Sequence, residues 1–195
     1  MRFLVSVSVV YLLGVPFSRP QNNTDLSKKV PDRNHEWKLA GLLPGHTSLG
    51  RAEAILGQPT ELEESGKAAS WRTCFGDELA VDVDSKKIVQ TVRAMSRDMQ
   101  NQQYVDCSGA VKSKSKWGTG LGLQLGDAAT RATQIYGQPD SRGPSTQGGQ
   151  QLELLYYAFD WAGPDVPQVM EVLCTPEKDG KPGRVVEITL AGPSL

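Results

Sequence analysis

The sequence is poor in the side chains that most often carry catalysis or bind metals. Its 195 residues include two histidines, His35 and His46, and three cysteines, at positions 74, 107 and 174. No two cysteines are spaced as the Cys-x-x-Cys pair of a common zinc site. A nucleophilic cysteine would need a base beside it, and the chain has few histidines to supply one. We therefore expect no enzyme activity, no metal and no cofactor.

An excess of positive charge is also missing. The 21 Lys and Arg residues are balanced by 22 Asp and Glu residues, and the formal net charge is -1. A nucleic-acid-binding chain needs a basic face that neutralises phosphates. The charge balance therefore argues against a nucleic-acid partner.

The longest apolar run is too short to cross a membrane. It covers residues 3–15 and follows Arg2, whereas a membrane-spanning helix needs about 20 residues. This pattern predicts a secretory signal peptide over 1–18, although an uncleaved anchor or a buried helix also fits it. The polar composition of 19–35 predicts a disordered leader. We expect a secreted or periplasmic protein whose mature chain does not insert stably into a membrane.

One stretch of the sequence occurs twice, at 41–59 and at 122–140. Six residues match at an offset of 80, and three glycine or leucine residues before them match after a shift of one position. So many identities in so short a stretch are typical of a tandem duplication. The matching pairs are Gly41/Gly122, Leu42/Leu123, Gly45/Gly126, Arg51/Arg131, Ala52/Ala132, Ile55/Ile135, Gly57/Gly137, Gln58/Gln138 and Pro59/Pro139.

Each copy carries the start and stop signals of one short helix. The hydroxyl residues at 47–48 and the carboxylate of Asp127 are suitable N-caps. Gly57 and Gly137 are suited to the left-handed conformation that closes a helix, and a proline follows each of them two residues later. Helices this short are marginal alone and must bury an apolar stripe. The two predicted helices are 48–57 and 128–137.

The segments that follow each helix alternate between apolar and polar residues, as in Leu79–Asp84. Such alternation predicts antiparallel strands with one buried and one solvated face. The fold class we predict is α+β, with two tandem helix-plus-antiparallel-meander repeats whose short helices pack on one face of the sheet. The predicted strands are 70–75, 79–84, 88–94, 152–159, 170–175 and 184–191. The predicted parts are repeat unit 1 (36–95), a connector (96–117) and repeat unit 2 (118–195).

The second copy has the pattern Gly-Leu-x-Leu-Gly-Asp, a short helix, Tyr-Gly-x-Pro-Asp and a meander. This pattern resembles the small outer-membrane-assembly lipoproteins of the SmpA/OmlA type. In tandem it also resembles the β-lactamase-inhibitory-protein fold. The resemblance covers roughly 38–94 and 118–191, and it implies a sheet beneath short helices without implying a function. No cysteine follows the apolar run, so the lipid anchor of those lipoproteins is missing.

Three cysteines in an exported protein allow one disulfide and leave one thiol. Cys174 alternates with Met170 and Val172, which places it on a buried face. Cys74 precedes a tight turn, and Cys107 lies in the connector, which can fold over the face that carries Cys74. A Cys74–Cys107 disulfide and the absence of any disulfide are both open expectations.

Trp161 lies in a proline-rich loop, residues 160–168, where the first unit has only a tight turn. Rigid aromatic residues on such loops are typical of recognition sites, although Trp161 packing on its own sheet is the alternative. An outer sheet face that also carries Arg72, Tyr157 and Phe159 would be too apolar to be merely solvated. The strand parity of the second unit is uncertain by one residue, and a shift would turn the opposite side chains outward.

These features predict an exported, non-catalytic protein-binding module that uses its free sheet face and the 160–168 loop. Inhibition of a secreted hydrolase is one version, which follows the inhibitor resemblance, and a part in envelope assembly is another. The alternative is a small-ligand carrier, or an enzyme, with a cleft between the two units. The predicted partner-binding residues are Arg72, Tyr157, Phe159 and Trp161.

Overall fold

The computed structural model describes residues 34–74, 76–96, 117–159 and 169–192. Within these ranges it has two short helices, α1 (Leu49–Leu56) and α2 (Ala129–Tyr136). Neither of these described helices is long and apolar enough to cross a membrane. The strands are β1 (Glu61–Leu62), β2 (Ala68–Arg72), β3 (Asp77–Val83), β4 (Val89–Ser96), β5 (Ser141–Gln147), β6 (Gln150–Ala158), β7 (Val169–Cys174) and β8 (Val185–Ala191).

These strands form one eight-stranded antiparallel sheet in the order β1-β2-β3-β4-β8-β7-β6-β5. Strands β4 and β8 pair from Thr91↔Ala191 to Met95↔Glu187, which joins the two halves of the chain into one sheet. Strands β1 and β5 form its two outer edges. The predicted signal peptide and the 160–168 loop lie outside the described residues, as do most of the predicted leader and connector.

The predicted class of two helix-plus-meander repeats is wrong. Helices account for only 12% of the described residues and strands for 49%, so the chain is mostly a single antiparallel sheet. Two physical features explain the difference. Each helix has eight residues, about two turns, and cannot form a layer of its own. The pairing of β4 with β8 also removes the boundary that would separate two meanders.

The residues that cap the starts of the two helices agree with the prediction for α1 but not for α2. The Ser48 hydroxyl caps α1 by accepting a hydrogen bond from the Arg51 backbone N–H at 3.2 Å. The prediction for Asp127 is wrong, because its carboxylate accepts from the Gln124 backbone N–H at 2.9 Å and so closes the preceding turn. Ala128 takes the N-cap position of α2, without a side-chain hydrogen bond.

Glycines end both helices as predicted. Gly57 has φ 89° and Gly137 has φ 77°, conformations in which a residue with a Cβ is strained. Their backbone N–H groups donate to Glu53 O at 2.8 Å and to Thr133 O at 3.0 Å. These bonds use carbonyl groups that a helix end would otherwise leave unpaired.

The core lies between the two helices and one face of the sheet. Ala52 and Ala132 are the buried contact points of the helices, and their small side chains allow close approach to the strands. Burying apolar side chains of this kind stabilises a fold by about 25 cal/mol per Å². The largest fully buried side chains are Trp71, Tyr136, Tyr157, Phe159, Leu39, Leu42, Leu79, Leu123, Leu155, Met170, Ile188 and Leu190.

Candidate functional site: the open face of the sheet

The strand register divides the side chains of the sheet between two faces. Trp71 and Tyr157 lie on one of them. The Trp71 indole N–H donates to Gly57 O at 2.9 Å, and the Tyr157 hydroxyl donates to Gly137 O at 3.3 Å. Since these carbonyl groups belong to the C-caps of α1 and α2, both helices pack on this face. Neither of the two described helices packs on the opposite side of the sheet, which we call the open face.

Two rows of side chains run across six strands on the open face. Successive members of a row are direct partners on neighbouring antiparallel strands, so their side chains lie beside one another. Each row contains both charged and apolar residues. The first row is Arg72, Glu78, Met95, Glu187, Leu173 and Leu154. The second row is Ser70, Ala80, Arg93, Thr189, Glu171 and Tyr156.

Two Arg–Glu pairs lie on the open face. Arg72 Nη2 is 3.4 Å from Glu78 Oε2, and Arg93 Nε is 3.6 Å from Glu187 Oε1. Both glutamates are buried, whereas the arginine side chains are 33% and 45% exposed. Partly exposed pairs of this length contribute little stability, about 0–1 kcal/mol each. The guanidinium groups therefore remain able to bind a further acceptor.

The Glu187 carboxylate is the centre of a small polar network. It accepts hydrogen bonds from Gln147 Nε2 at 2.7 Å and from Thr189 Oγ1 at 3.3 Å. Gln147 lies on edge strand β5, three strands away from β8, a distance of roughly 14 Å in a flat sheet. The contact therefore requires the β5–β6 hairpin to bend over the open face, which makes this end of the face concave.

The predicted site residues fall in three different environments. Arg72 lies on the open face, as its alternation with buried Trp71 requires. Tyr157 and Phe159 have no exposed surface, and the two rings stack with their centroids 6.3 Å apart. Their burial in the core removes them from any partner surface of the folded chain. Trp161 lies outside the described residues.

The parity of strand β6 explains the correction for the aromatic residues. Leu155 and Tyr157 pair with Val172 and Met170 on the core face, so Tyr156 faces the open side opposite Glu171. Tyr156 is half-buried there. The open face therefore does carry an aromatic side chain, one residue away from the predicted one.

The two described cysteines, Cys74 and Cys174, differ in their bonding. Cys74 is disulfide-bonded, and Cys107, the second member of the predicted pair, lies outside the described residues. Cys174 is a free, buried cysteine, as predicted. Burial, and then the negative charge of Glu153, raise the pKa of the Cys174 thiol to about 12. This thiol is therefore protonated and unreactive in the folded protein at neutral pH.

A buried carboxylate that the sequence did not single out lies on the helix side of the sheet. Glu36 is only 1% exposed. Its Oε1 accepts from the backbone N–H groups of Trp37, Lys38 and Gly120, and its Oε2 from that of Leu121, at distances between 2.8 and 3.1 Å. This carboxylate therefore joins the segment before α1 to the turn before α2.

Tyr136 completes the environment of this carboxylate. Its hydroxyl donates to Glu36 Oε2 at 2.6 Å, and it is 2.7 Å from the Thr119 hydroxyl. Burial, followed by the hydrogen bond to the Glu36 carboxylate, raises the pKa of Tyr136 far above its ordinary value. Since backbone and hydroxyl donors surround Glu36, we interpret this cluster as a structural anchor.

Two shallow concavities lie near the β5–β6 hairpin. One, of about 670 Å³, is lined by the hairpin and by Pro176 and Glu177. The other, of about 350 Å³, is lined by residues of 175–184, the loop between β7 and β8. Across the described ranges, no three His, Cys, Asp or Glu side chains are grouped in a way that could hold a metal ion.

No protein-family model matches the chain, and no curated protein is significantly similar to it. The solved structures that are distantly similar to the chain include the following two. One is a DUF4309 family protein (YjgB) from Bacillus subtilis, with 10% identity over 78% of this chain and 83% of that chain and a TM-score of 0.43. The other is a cysteine-rich secretory protein (SAV1118) from Staphylococcus aureus, with 8% identity over 75% of this chain and 44% of that chain and a TM-score of 0.36. Likeness at this level supports no inference about function.

Proposed function

We propose that the chain is an exported, non-catalytic module that binds another protein through the open face of its sheet. The observation that carries the proposal is the make-up of that face. Met95 and Arg93 lie two residues apart on β4, and Tyr156 lies three strands away on β6, near the half-buried Leu154 and Leu173. Tyr, Met and Arg are the residue types enriched in protein interfaces. Such side chains supply contact area together with a charged group.

Arg72 gives the proposed interface a polar anchor. Its Nε is buried and has no hydrogen-bond acceptor among the described residues. The Nε atom is itself shielded from solvent, but the side chain is 33% exposed, so the Arg72 guanidinium can still donate to an acceptor of a partner through its outer nitrogens. Its backbone N–H donates to Thr60 Oγ1 at 3.0 Å, which holds the residue in place.

The environments of the buried carboxylates support a role without catalysis. A general base needs an oxygen that can reach a substrate proton. Glu36 instead accepts from several internal donors, and Glu187 is bonded to Gln147 and Thr189. Both carboxylates are therefore engaged in hydrogen bonds that stabilise the fold.

The disulfide at Cys74 supports the proposal of a secreted or periplasmic location, because disulfides persist in oxidising compartments. In such a compartment the partner could be a secreted hydrolase, which the chain would inhibit, or a component of envelope assembly. Both versions use the same face of the sheet and require no cofactor.

Charge reversal on the two faces tests this proposal. Three proteins are immobilised: the wild type, Arg93→Glu and the matched control Arg131→Glu. The amount of partner that each captures from the native secreted or envelope fraction is then measured. Both arginines are exposed, but Arg131 lies on α2, on the other side of the sheet. We expect Arg93→Glu to reduce capture at least about tenfold, because the introduced negative charge would repel the group of the partner that Arg93 contacts.

Trp161→Ala is tested in parallel, and it should also reduce capture if the 160–168 loop belongs to the interface. Equal capture by Arg93→Glu and the wild type, with both proteins folded, would exclude the open face. Loss of capture by Arg131→Glu alone would move the interface to the helix side.

A further inference from the structure

The loop between β7 and β8 forms a rigid hairpin that concentrates positive charge. Lys178 and Lys181 exchange backbone hydrogen bonds of 3.2 and 2.9 Å across a two-residue turn. The turn residues Asp179 and Gly180 have φ of 54° and 68°, as a tight hairpin turn requires. We call residues 175–184 the cationic hairpin.

Three cationic side chains and one acidic side chain line the concavity of about 350 Å³ in this hairpin, namely those of Lys178, Lys181, Arg184 and Asp179. The lining of this concavity therefore has a net charge of +2, in a chain whose formal net charge is -1. The whole hairpin has a net charge of +1, because Glu177 lies in it but lines the neighbouring concavity. Neither lysine forms an ion pair among the described residues. Like charges placed opposite each other on paired strands repel, and an anion between them would relieve that repulsion.

The base of the hairpin is fixed before any ligand binds. The Arg184 backbone N–H donates to Thr175 Oγ1 at 2.8 Å, and Thr175 N–H donates to Arg184 O at 2.9 Å. The Arg184 guanidinium donates to Gly126 O at 3.2 Å. Pro176 and Pro182 further restrict the backbone. A site of this kind loses little conformational freedom on binding.

The size of the site favours a peptide over a small anion. Pro176 lines both this concavity and the neighbouring one of about 670 Å³ beside β5. Together they offer far more room than a phosphate or sulfate ion fills, whereas an extended chain can occupy adjoining concavities. The second concavity is lined by Arg142, Glu153 and Glu177 and so has a net charge of -1. The carboxylates of a bound peptide would therefore lie in the first concavity and its uncharged residues in the second.

We infer that the cationic hairpin docks an acidic segment of the protein partner, with the carboxylates of that segment between Lys178 and Lys181. The inference rests on the proposed function, since it supplies part of the partner's chemistry. It adds a second contact surface, distinct from the residues of the open face.

Fluorescence anisotropy with a labelled peptide of alternating Glu and Ser residues tests the inference at low ionic strength. The same peptide with Gln in place of Glu is the ligand control. The test variant is Lys178→Gln/Lys181→Gln. The matched control is Lys67→Gln/Lys86→Gln, which removes two exposed lysines near the β1–β3 end of the sheet. Thermal unfolding verifies that both variants are folded.

We expect the Glu peptide to bind the wild type, with an affinity that falls as salt rises, and the Gln peptide not to bind. Lys178→Gln/Lys181→Gln should weaken binding at least about tenfold, and the control double variant less than about twofold. Absence of Glu-peptide binding, or equal loss in both variants, would overturn the inference. Displacement of the peptide by millimolar inorganic phosphate would also overturn it, in favour of a small-anion site.

Failure here and failure of the proposed function give different results. If Lys178→Gln/Lys181→Gln retains the wild-type affinity for the peptide while Arg93→Glu still loses the partner, only the hairpin inference falls. If the peptide result holds and Arg93→Glu retains the partner, the open face is excluded and the cationic hairpin remains.

Discussion

The Tyr136 hydroxyl lies 2.6 Å from Glu36 Oε2, although the two residues are 100 positions apart in the sequence. The contact connects the segment that enters the fold to the last turn of α2. The same carboxylate also accepts backbone N–H groups from the turn that precedes α2. One buried side chain thus fixes three separate parts of the helix layer above the sheet.

Glu36→Gln should strongly destabilise the protein. An amide in place of the carboxylate turns one acceptor oxygen into an NH2 group, whose two donors face the surrounding donors, and removes the charge that strengthens the remaining hydrogen bonds. We expect a loss of about 3 kcal/mol in the free energy of unfolding, measured by urea denaturation. The control is Glu63→Gln, an exposed change for which we expect a shift within about 0.5 kcal/mol. A loss for Glu36→Gln no larger than that of the control would contradict the anchor role.

Gly120→Ala tests the same anchor from the backbone side. A Cβ at position 120 would lie 2.8 Å from Glu36 Oε1 and would displace the carboxylate. We expect a destabilisation of about 2 kcal/mol. Gly143→Ala is the matched control, because a Cβ there meets no atom within 4 Å. It should be neutral or slightly stabilising. Equal effects of the two alanines on the unfolding midpoint would argue against the close packing around Glu36.

Stability should fall at alkaline pH partly because of Cys174. The thiol has an ordinary pKa of 9.0 in the unfolded chain and one of about 12 in the folded chain. Above pH 9 the unfolded state loses this proton and the folded state keeps it. Its contribution is therefore fully present below pH 9 and is lost as pH rises through 12, by about 1.4 kcal/mol per unit.

Urea unfolding at several pH values between 8 and 11 measures this contribution in the wild type and in Cys174→Ala. We expect a shallower loss of stability above pH 9 in the variant. Tyr136→Phe should have a similar effect above pH 10, because burial raises the pKa of Tyr136 in the same direction. Parallel stability curves for the wild type and Cys174→Ala would show that this thiol does not titrate differently in the two states.

The two helix starts offer opposite capping experiments. Ser48→Ala removes the side-chain acceptor of α1 and should cost about 1 kcal/mol. Ala128→Ser supplies an acceptor that α2 lacks, at a residue with extended backbone angles, and should add about 0.5–1 kcal/mol. Thermal or urea unfolding measures both changes. Destabilisation by Ala128→Ser would show that the serine hydroxyl cannot reach the free N–H groups.

The sequence predicts the individual helices and strands better than it predicts how the strands pair into one sheet. Both helices lie within one residue of their predicted ends, because the closing glycines of both helices and the Ser48 cap of α1 act locally. Strand β5 was missed, since Gly143 and Pro144 favour turns. An edge strand tolerates a proline because it has no second neighbour to which it must donate hydrogen bonds. The joining of β4 to β8 is a pairing between distant segments, and no local pattern encodes it.

The site was predicted less well, for two physical reasons. From Leu154 to Tyr157 every residue is apolar or aromatic, so alternation could not show which side chains face the core. Only the pairing of β6 with β7 decides it. Glu36 was not singled out because a lone glutamate beside a polar segment is normally solvated. Apart from the neighbouring Trp37 and Lys38, the partners that hold it in the core lie 84 to 100 residues away.

Photo-crosslinking from the sheet tests whether the open face is the binding surface. A benzophenone amino acid is placed at Tyr156, on the open face, and at Arg131, on α2, and each protein is irradiated in the native secreted or envelope fraction. We expect one dominant crosslinked partner from position 156 and none from position 131. Crosslinking of that partner from position 131 but not from position 156 would contradict the assignment of the open face as the binding surface.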